Sequence, residues 1–246
     1  MAKVLGIRVD ILRRDEAEQK IRAFLELKSE KSYFIVTANA ELYYQASRRL
    51  ELRETLNSAD LCVPDSVGII KALRRQAGHR CVRHAFARKD FRARQGIKDA
   101  ELYPGVELAE WILRQGYSVY VLGAADKVLN KLQFPNIVGK HHGYFNADEE
   151  NEIIAEINRL RPQVVFAALG AGRQELWLSR HRNALSGVLI GVGGAIDVLS
   201  GHKRRAPKIF RRLGLEWFYR LLREPSRLSR QINLVRFWLA VLKNSR

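Results

Sequence analysis

The sequence predicts a layered α/β domain with a mainly parallel sheet, followed by a basic helical segment. Short β-branched runs alternate with amphipathic helical stretches, several of those runs end on a glycine, and the final forty residues turn basic and aromatic. An amphipathic stretch from Asp15 to Leu27 leads into a strand at Tyr33–Thr37, and a helix is expected from about Glu41 to Leu56. The short apolar piece Leu61–Val63 ends at Pro64-Asp65-Ser66 before another helix. Further strands are read at Ser118–Leu122, Ile137–Val138, Val164–Leu169 and Val188–Ile190, of which three run into Gly123, Gly170 and Gly191. Residues 1–204 are taken as the core, with a basic insertion over about 74–103, and residues 205–246 as a helical appendage.

At 246 residues and 47% hydrophobic content, the chain is long enough to bury a substantial core. Its opening residues alternate apolar and polar without the basic, apolar and small-residue order of a secretory signal, so a cytoplasmic chain is expected. A bilayer-spanning helix needs roughly 18–20 uncharged apolar residues, and even Phe237–Leu242 is short and flanked by Arg236 and Lys243. Membrane contact is therefore expected to be peripheral. Cys62 and Cys81 make no spaced ligand set and read as reduced thiols.

The net charge of +17 is concentrated in two places. Residues 71–103 hold 10 Lys and Arg against 3 Asp and Glu, residues 203–246 hold 13 against 2, and the remainder is close to neutral. Two anion-facing surfaces follow. The first also contains His79, His84, Phe86 and Phe91 and reads as a mobile insertion. In the second, Trp217, Phe218, Leu221, Leu222, Phe237 and Trp238 alternate with arginines, the pattern with which an interfacial helix enters a headgroup layer and attracts anionic lipid. The same charge would suit a nucleic-acid backbone, but its confinement to a strongly apolar tail favours lipid, and no nucleic-acid partner is expected.

Ligands of open parallel sheets bind where strands end and helices begin, because unpaired backbone N–H groups there favour anions. Thr37 and Asn39 stand at such a point and can bind a sugar or cap the next helix. Asp65, set by Pro64, can be a general base or cap the helix beginning near Val67. Gly170-Ala171-Gly172-Arg173-Gln174-Glu175 offers backbone donors, a guanidinium and an amide, while Gly193 and Asp197 fall in a third such turn. Neither the dinucleotide G-x-G-x-x-G fingerprint with its acidic partner nor the P-loop is present. His141 and His142, adjacent on an extended segment, point to opposite faces, and no D-x-D occurs, so neither a metal nor another cofactor is expected. Charge neutralisation would then fall to arginines and helix N-termini.

These pieces together resemble the WecG/TagA/CpsF glycosyltransferase family. The resemblance is carried by V-T-A-N-A-E at 36–41, L-N-S-A-D-L-C-V-P-D at 56–65, P-G-V-E-L at 104–108 and V-Y-V-L-G at 119–123. It continues through I-V-G-K-H-H-G-Y-F at 137–145, A-L-G-A-G-R-Q-E at 168–175, G-V-G-G-A-I-D at 191–197 and the long block from Arg205 to Arg227. It implies a Rossmann-like core and inverting transfer from a UDP-sugar, often UDP-N-acetylmannosamine or its uronic acid, to a polyprenyl-diphosphate-linked N-acetylglucosamine in cell-surface polysaccharide synthesis. By the same resemblance Asp65 is the catalytic base, Thr37, Asn39 and Gln174 line the sugar pocket, and Gly123, Tyr144, Gly193 and Asp197 lie by the nucleotide. Arg220, Arg227 and Arg230 match basic residues that stabilise diphosphate charge on a C-terminal appendage at the inner face of the membrane. A homo-oligomer is compatible with the resemblance. Retention of Asp65, Thr37, Asn39 and Gln174 speaks against a non-catalytic scaffold of a glycan-assembly complex. The chain departs from the family pattern at Ser66, at Gly172-Arg173 and in a longer basic stretch before Pro104.

Overall fold

The computed structural model describes residues 2–27, 31–83, 100–207, 209–210, 213, 215–224 and 228–244; the side chains of 77–83, 220 and 228–231 lie outside that description. The described chain opens with β1 (Ala2–Val4), β2 (Ile7–Val9), α1 (Arg14–Glu26), β3 (Ser32–Ala38), α2 (Ala40–Arg48), α3 (Leu50–Asn57), β4 (Leu61–Pro64) and α4 (Val67–Arg83). It continues with α5 (Gly105–Arg114), β5 (Val119–Gly123), α6 (Asp126–Leu129), β6 (Ile137–His141), α7 (Ala147–Leu160), β7 (Val164–Ala168) and α8 (Arg173–His181). The last elements are β8 (Gly187–Gly191), α9 (Ala195–Leu199), α10 (Glu216–Arg223) and α11 (Leu228–Asn244).

Six strands form one sheet in the order β4-β3-β8-β7-β5-β6, and every pair in it is parallel. The expected layered α/β fold with a parallel sheet is what forms. Parallel strands are covered on both faces, and this explains their uninterrupted apolar runs. Alternate residues enter separate cores: Phe34, Val36, Tyr120, Val165 and Leu189 pack on one side, while Ile35, Val121, Phe166, Val188 and Ile190 pack on the other. The first core takes Leu42, Leu52, Ile153 and Leu178 from α2, α3, α7 and α8, and the second takes Ile21, Leu108, Val128 and Ile196 from α1, α5, α6 and α9.

Because all six strands run the same way, their C-terminal ends share one edge of the sheet. Every sequence-selected residue from Thr37 to Asp197 lies in or just beyond such an end. The β5 end depends on a glycine: Gly123 has φ +117°, and a Cβ there would come within 2.5 Å of the Ala168 backbone.

Three features differ from the sequence reading. The single helix expected over Glu41–Leu56 is two, because Arg49 is extended at φ −128°, ψ 113°. Ser47 Oγ donates to Tyr44 O and Arg53 Nη2 donates to Ser47 O, so side chains occupy carbonyls at the break. The opening residues form a hairpin, β1 with β2, that joins the main fold through Asp10: its Oδ2 accepts from Cys62 N at 2.9 Å and from Arg8. α4 runs through Arg74–Arg83, so part of the basic segment is helical; residues 84–99 fall outside the described set.

The C-terminal helix contributes to the core. Phe237 and Val241 of α11 are completely buried with α2 and α4 residues, and a Cβ on Gly68 would lie 3.8 Å from the Phe237 ring. Its other face leaves Ile232, Val235, Leu239 and Leu242 exposed, and α10 exposes Trp217, Phe218 and Leu222. Among the described residues no helix is long and apolar enough to cross a membrane.

Candidate active site

Pro64 closes β4 and leaves Asp65 half-buried at the sheet edge, where its backbone N–H donates to Ala38 O of the neighbouring strand at 2.8 Å. Its side chain reaches a helix distant in sequence. Oδ1 accepts from the backbone N–H of Gly105 at 2.5 Å, the first residue of α5. Pro104 precedes that N–H, and Tyr103 N donates to Pro64 O at 2.8 Å, tying the two segments together. A carboxylate at the positive end of a helix has its charge favoured and its position fixed.

Thr37 joins this arrangement from β3. A Cβ on Gly105 would sit 3.4 Å from Thr37 Cγ2 and 3.5 Å from Asp65 Oδ1, so Thr37, Asp65 and the start of α5 meet at one point. The Thr37 hydroxyl donates to Gly191 O at 2.8 Å. Asn39 is an N-cap, with Oδ1 accepting from Leu42 N at 2.9 Å.

Gly191 is the meeting point with Gln174. A Cβ at Gly191 would come within 2.6 Å of Gln174 Nε2 and 2.9 Å of Glu175 Oε1, so the amide lies where any other residue's side chain would begin. Gln174 is 4% exposed; its Nε2 donates to Glu175 Oε1 at 2.8 Å, while its buried Oε1 has no hydrogen-bond partner. Gly193 follows at 3.6 Å from that oxygen, measured from the Cβ position. Thr37, Gln174 and the Gly191–Gly193 turn therefore form one unit beside Asp65.

Glu175 was not singled out in the sequence, although a Glu three residues after Gly172 is a capping-box pattern and Leu178 one turn later marks its side of α8 as buried. It is 1% exposed, and burial pushes its carboxyl up to about 7 against the hydrogen bonds that favour its charge. Glu107, in the first turn of α5, was also missed. It pairs with both Arg14 and Arg205; burial raises its carboxyl pKa, and the two guanidiniums more than offset this and hold it below the usual range. That contact fastens the chain at Arg205 to the helix whose first N–H Asp65 holds.

The other half of the edge carries the remaining positions. A Cβ on Gly143 would lie 3.2 Å from Gly123 Cα, and Gly143 N donates to Ala124 O, so the segment before Tyr144 rests on the Gly123 turn. Tyr144 itself is 77% exposed. Asp197 pairs with Lys203 at 3.3 Å, and Lys203 also reaches Glu224 at 3.3 Å, beyond α10. An open cleft of about 460 Å³ lies there, lined by Gly194, His202, Lys203, Tyr219 and Arg223 among others. Of the three arginines expected at the diphosphate, Arg227 lies outside the described residues, and Arg220 and Arg230 lie on α10 and α11 with side chains outside them. Among the described residues no group of three His, Cys, Asp or Glu side chains is arranged to hold a metal.

The sequence model of the Glycosyl transferase WecG/TagA/CpsF family matches residues 2–246. The chain is similar to the N-acetylglucosaminyldiphosphoundecaprenol N-acetyl-beta-D-mannosaminyltransferase of Staphylococcus aureus strain MW2, with 31% identity over 255 residues, covering 99% of this chain and 92% of the relative. The protein of the same description from strain NCTC 8325 / PS 47 matches with the same identity and coverage.

Proposed function

Since the chain belongs to the WecG/TagA/CpsF family of glycosyltransferases, we propose that it transfers N-acetylmannosamine, or its uronic acid, from UDP to a polyprenyl-diphosphate-linked N-acetylglucosamine. The observation that carries the reading is the restrained Asp65 carboxylate beside Thr37 at the strand-end edge, within a chain matched to the family along its whole length. The acceptor named for the Staphylococcus aureus relatives supplies the lipid-linked substrate class.

In this mechanism the acceptor hydroxyl oxygen attacks the anomeric carbon from the face opposite UDP. The new C–O bond forms as the bond to the diphosphate oxygen breaks, which inverts the anomeric centre. Asp65 takes the hydroxyl proton, and the electron pair of the broken bond leaves on UDP. A base held at a helix start does not have to be oriented during the step, which is where a positioned carboxylate gains its effect. Thr37 and Gln174 hold the Gly191–Gly193 turn at the sugar, and the Gly123 turn, Tyr144 and Asp197 serve the nucleotide. Charge developing on the diphosphate is met by Arg220, Arg227 and Arg230 rather than by a metal ion.

The acceptor lipid places the reaction at a membrane surface. The exposed Trp217, Phe218 and Leu222 of α10, with the arginines around them, suit the inner headgroup layer. The deciding measurement is UDP release by the purified protein with a panel of UDP-sugars and a short-chain lipid-diphosphate N-acetylglucosamine, with and without EDTA. Acceptor-dependent release that survives EDTA supports the proposal and identifies the donor. No release with any donor rejects it.

A further inference from the structure

Besides its own backbone N–H, two N–H donors from other residues converge on the Glu175 carboxyl inside the protein. Gly172 N donates to Oε2 at 2.7 Å, and Gln174 Nε2 donates to Oε1 at 2.8 Å. Capping the start of α8 accounts for the first contact only, and a Gln at this position would cap as well as a Glu. Accepting from two donors at once is different. A carboxylate offers an acceptor at each end, whereas an amide must turn its NH2 towards one of the donors. The cost of a carboxylate at 1% exposure is therefore tied to the second donor, the Gln174 amide.

The position of that amide matters because it has only two orientations. With its NH2 on Glu175, its carbonyl oxygen is left at the Gly193 side, buried and without a partner. With Glu175 ionised, flipping the amide would place a donor there and set two acceptors, Gln174 Oε1 and Glu175 Oε1, against each other. A carboxylate next door thus selects one orientation of an otherwise symmetric group.

We infer that Glu175 is a positioning residue that locks the Gln174 amide with its NH2 against Gly191 and its oxygen on the Gly193 side, making that oxygen an acceptor for an N–H or O–H group of the bound sugar. The inference rests on the glycosyltransferase reading for its ligand, while the orientation itself does not depend on turnover. The burial that raises the Glu175 carboxyl to about 7 is consistent with a group kept for its acceptors in spite of desolvation. The orphaned oxygen is consistent with a site completed by ligand.

The test has two arms. In the first, the Gln174 side-chain NH2 resonance, identified by its loss in Gln174→Ala, is followed by NMR for solvent exchange in the wild type, Glu175→Gln and Glu175→Asp. The expected result is protection in the wild type, loss of protection in Glu175→Gln and partial retention in Glu175→Asp, which keeps both acceptors. Unchanged protection in Glu175→Gln overturns the inference, whether or not the protein transfers sugar.

The second arm is a double-mutant cycle on kcat/KM for the sugar nucleotide. Glu175→Gln and Gln174→Ala should each lower it about ten- to a hundredfold, the range of one hydrogen bond to a charged partner, and the double variant should fall no further. Multiplicative losses would mean that Glu175 acts through the α8 start alone, and the inference fails. If the wild type transfers no sugar while the first arm behaves as expected, the lock stands and the proposed activity falls.

Discussion

The carboxylate of Asp65 holds the backbone N–H of Gly105 across a gap of forty residues in sequence, so the candidate base and the start of α5 are one structure. Asp65→Asn keeps an oxygen for that bond and removes the ability to take a proton at neutral pH. The variant should fold, lose no more than about 1 kcal/mol of stability as the charge leaves the helix start, and lose roughly 10² to 10⁴ in turnover, the usual contribution of a positioned base. Calorimetry beside the UDP-release assay separates the two effects, and wild-type turnover in the variant would remove Asp65 from the mechanism.

Gly191 carries the closest approach in the site. Gly191→Ala would put a methyl 2.6 Å from Gln174 Nε2, and the amide or the turn must move by several tenths of an ångström. The expected loss in kcat/KM is on the order of tenfold to a hundredfold, as for other small displacements of positioning groups. A crystal structure of the variant should show the Gln174 amide displaced; normal kinetics would show that the Gln174–Gly191 contact is not needed.

Burial of Glu175 also predicts a pH dependence of stability. Its carboxyl is raised from 4.5 to about 7 in the folded protein, so the folded state binds the proton more tightly than the unfolded chain. Stability from this source is complete below about 4.5 and is lost as pH rises towards 7, with a slope approaching about 1.4 kcal/mol per pH unit. Urea titrations of the wild type and Glu175→Gln between pH 4.5 and 8 should diverge in that direction. Parallel curves would refute the assignment.

Phe237 tests whether α11 is part of the folded unit. Its ring is fully buried against the α2 and α4 side of the core, and Phe237→Ala should cost about 3–5 kcal/mol. Denaturant unfolding measures this directly. A change below about 1 kcal/mol, the range of surface substitutions, would mean that the helix is only loosely docked.

The exposed face of α10 makes the opposite prediction. Replacing Trp217, Phe218 and Leu222 together with Ser removes side chains that are 39–62% exposed, so stability should fall by less than in Phe237→Ala. Binding to vesicles containing anionic lipid should fall at least tenfold in a sedimentation assay. Retained binding would place the membrane contact elsewhere.

Much of this arrangement was legible in the sequence because it is periodic or local. Apolar runs ending on glycine marked the strands β5, β7 and β8, and the turn residues Thr37, Asn39, Asp65 and Gln174 could be picked out at strand ends without knowing the order of the sheet. What was hidden depends on distant pairing. Nothing beside Asp65 in sequence points to Gly105, and nothing beside Gln174 points to Gly191. Glu175 is marked locally only by its capping-box spacing from Gly172 and by Leu178 on the same side of α8, while the depth of its burial comes from strands and helices elsewhere in the chain. The break at Arg49 escaped for a similar reason, since no Gly or Pro announces it and side chains of Ser47 and Arg53 sustain it.

The placement of β8 and α11 has a consequence for how the molecule is made. β3 sits between β4 and β8, and its Thr37 hydroxyl bonds Gly191, 154 residues later. α2, which follows β3 directly, is covered by α11, the last described helix. A chain emerging from the ribosome therefore carries the apolar flanks of β3 and α2 without their covers until β8 and α11 have been made. Such long-range closure is slow and leaves sticky surface exposed in the interim. Loss of α11 would thus act first as a defect of maturation, before any question of catalysis arises.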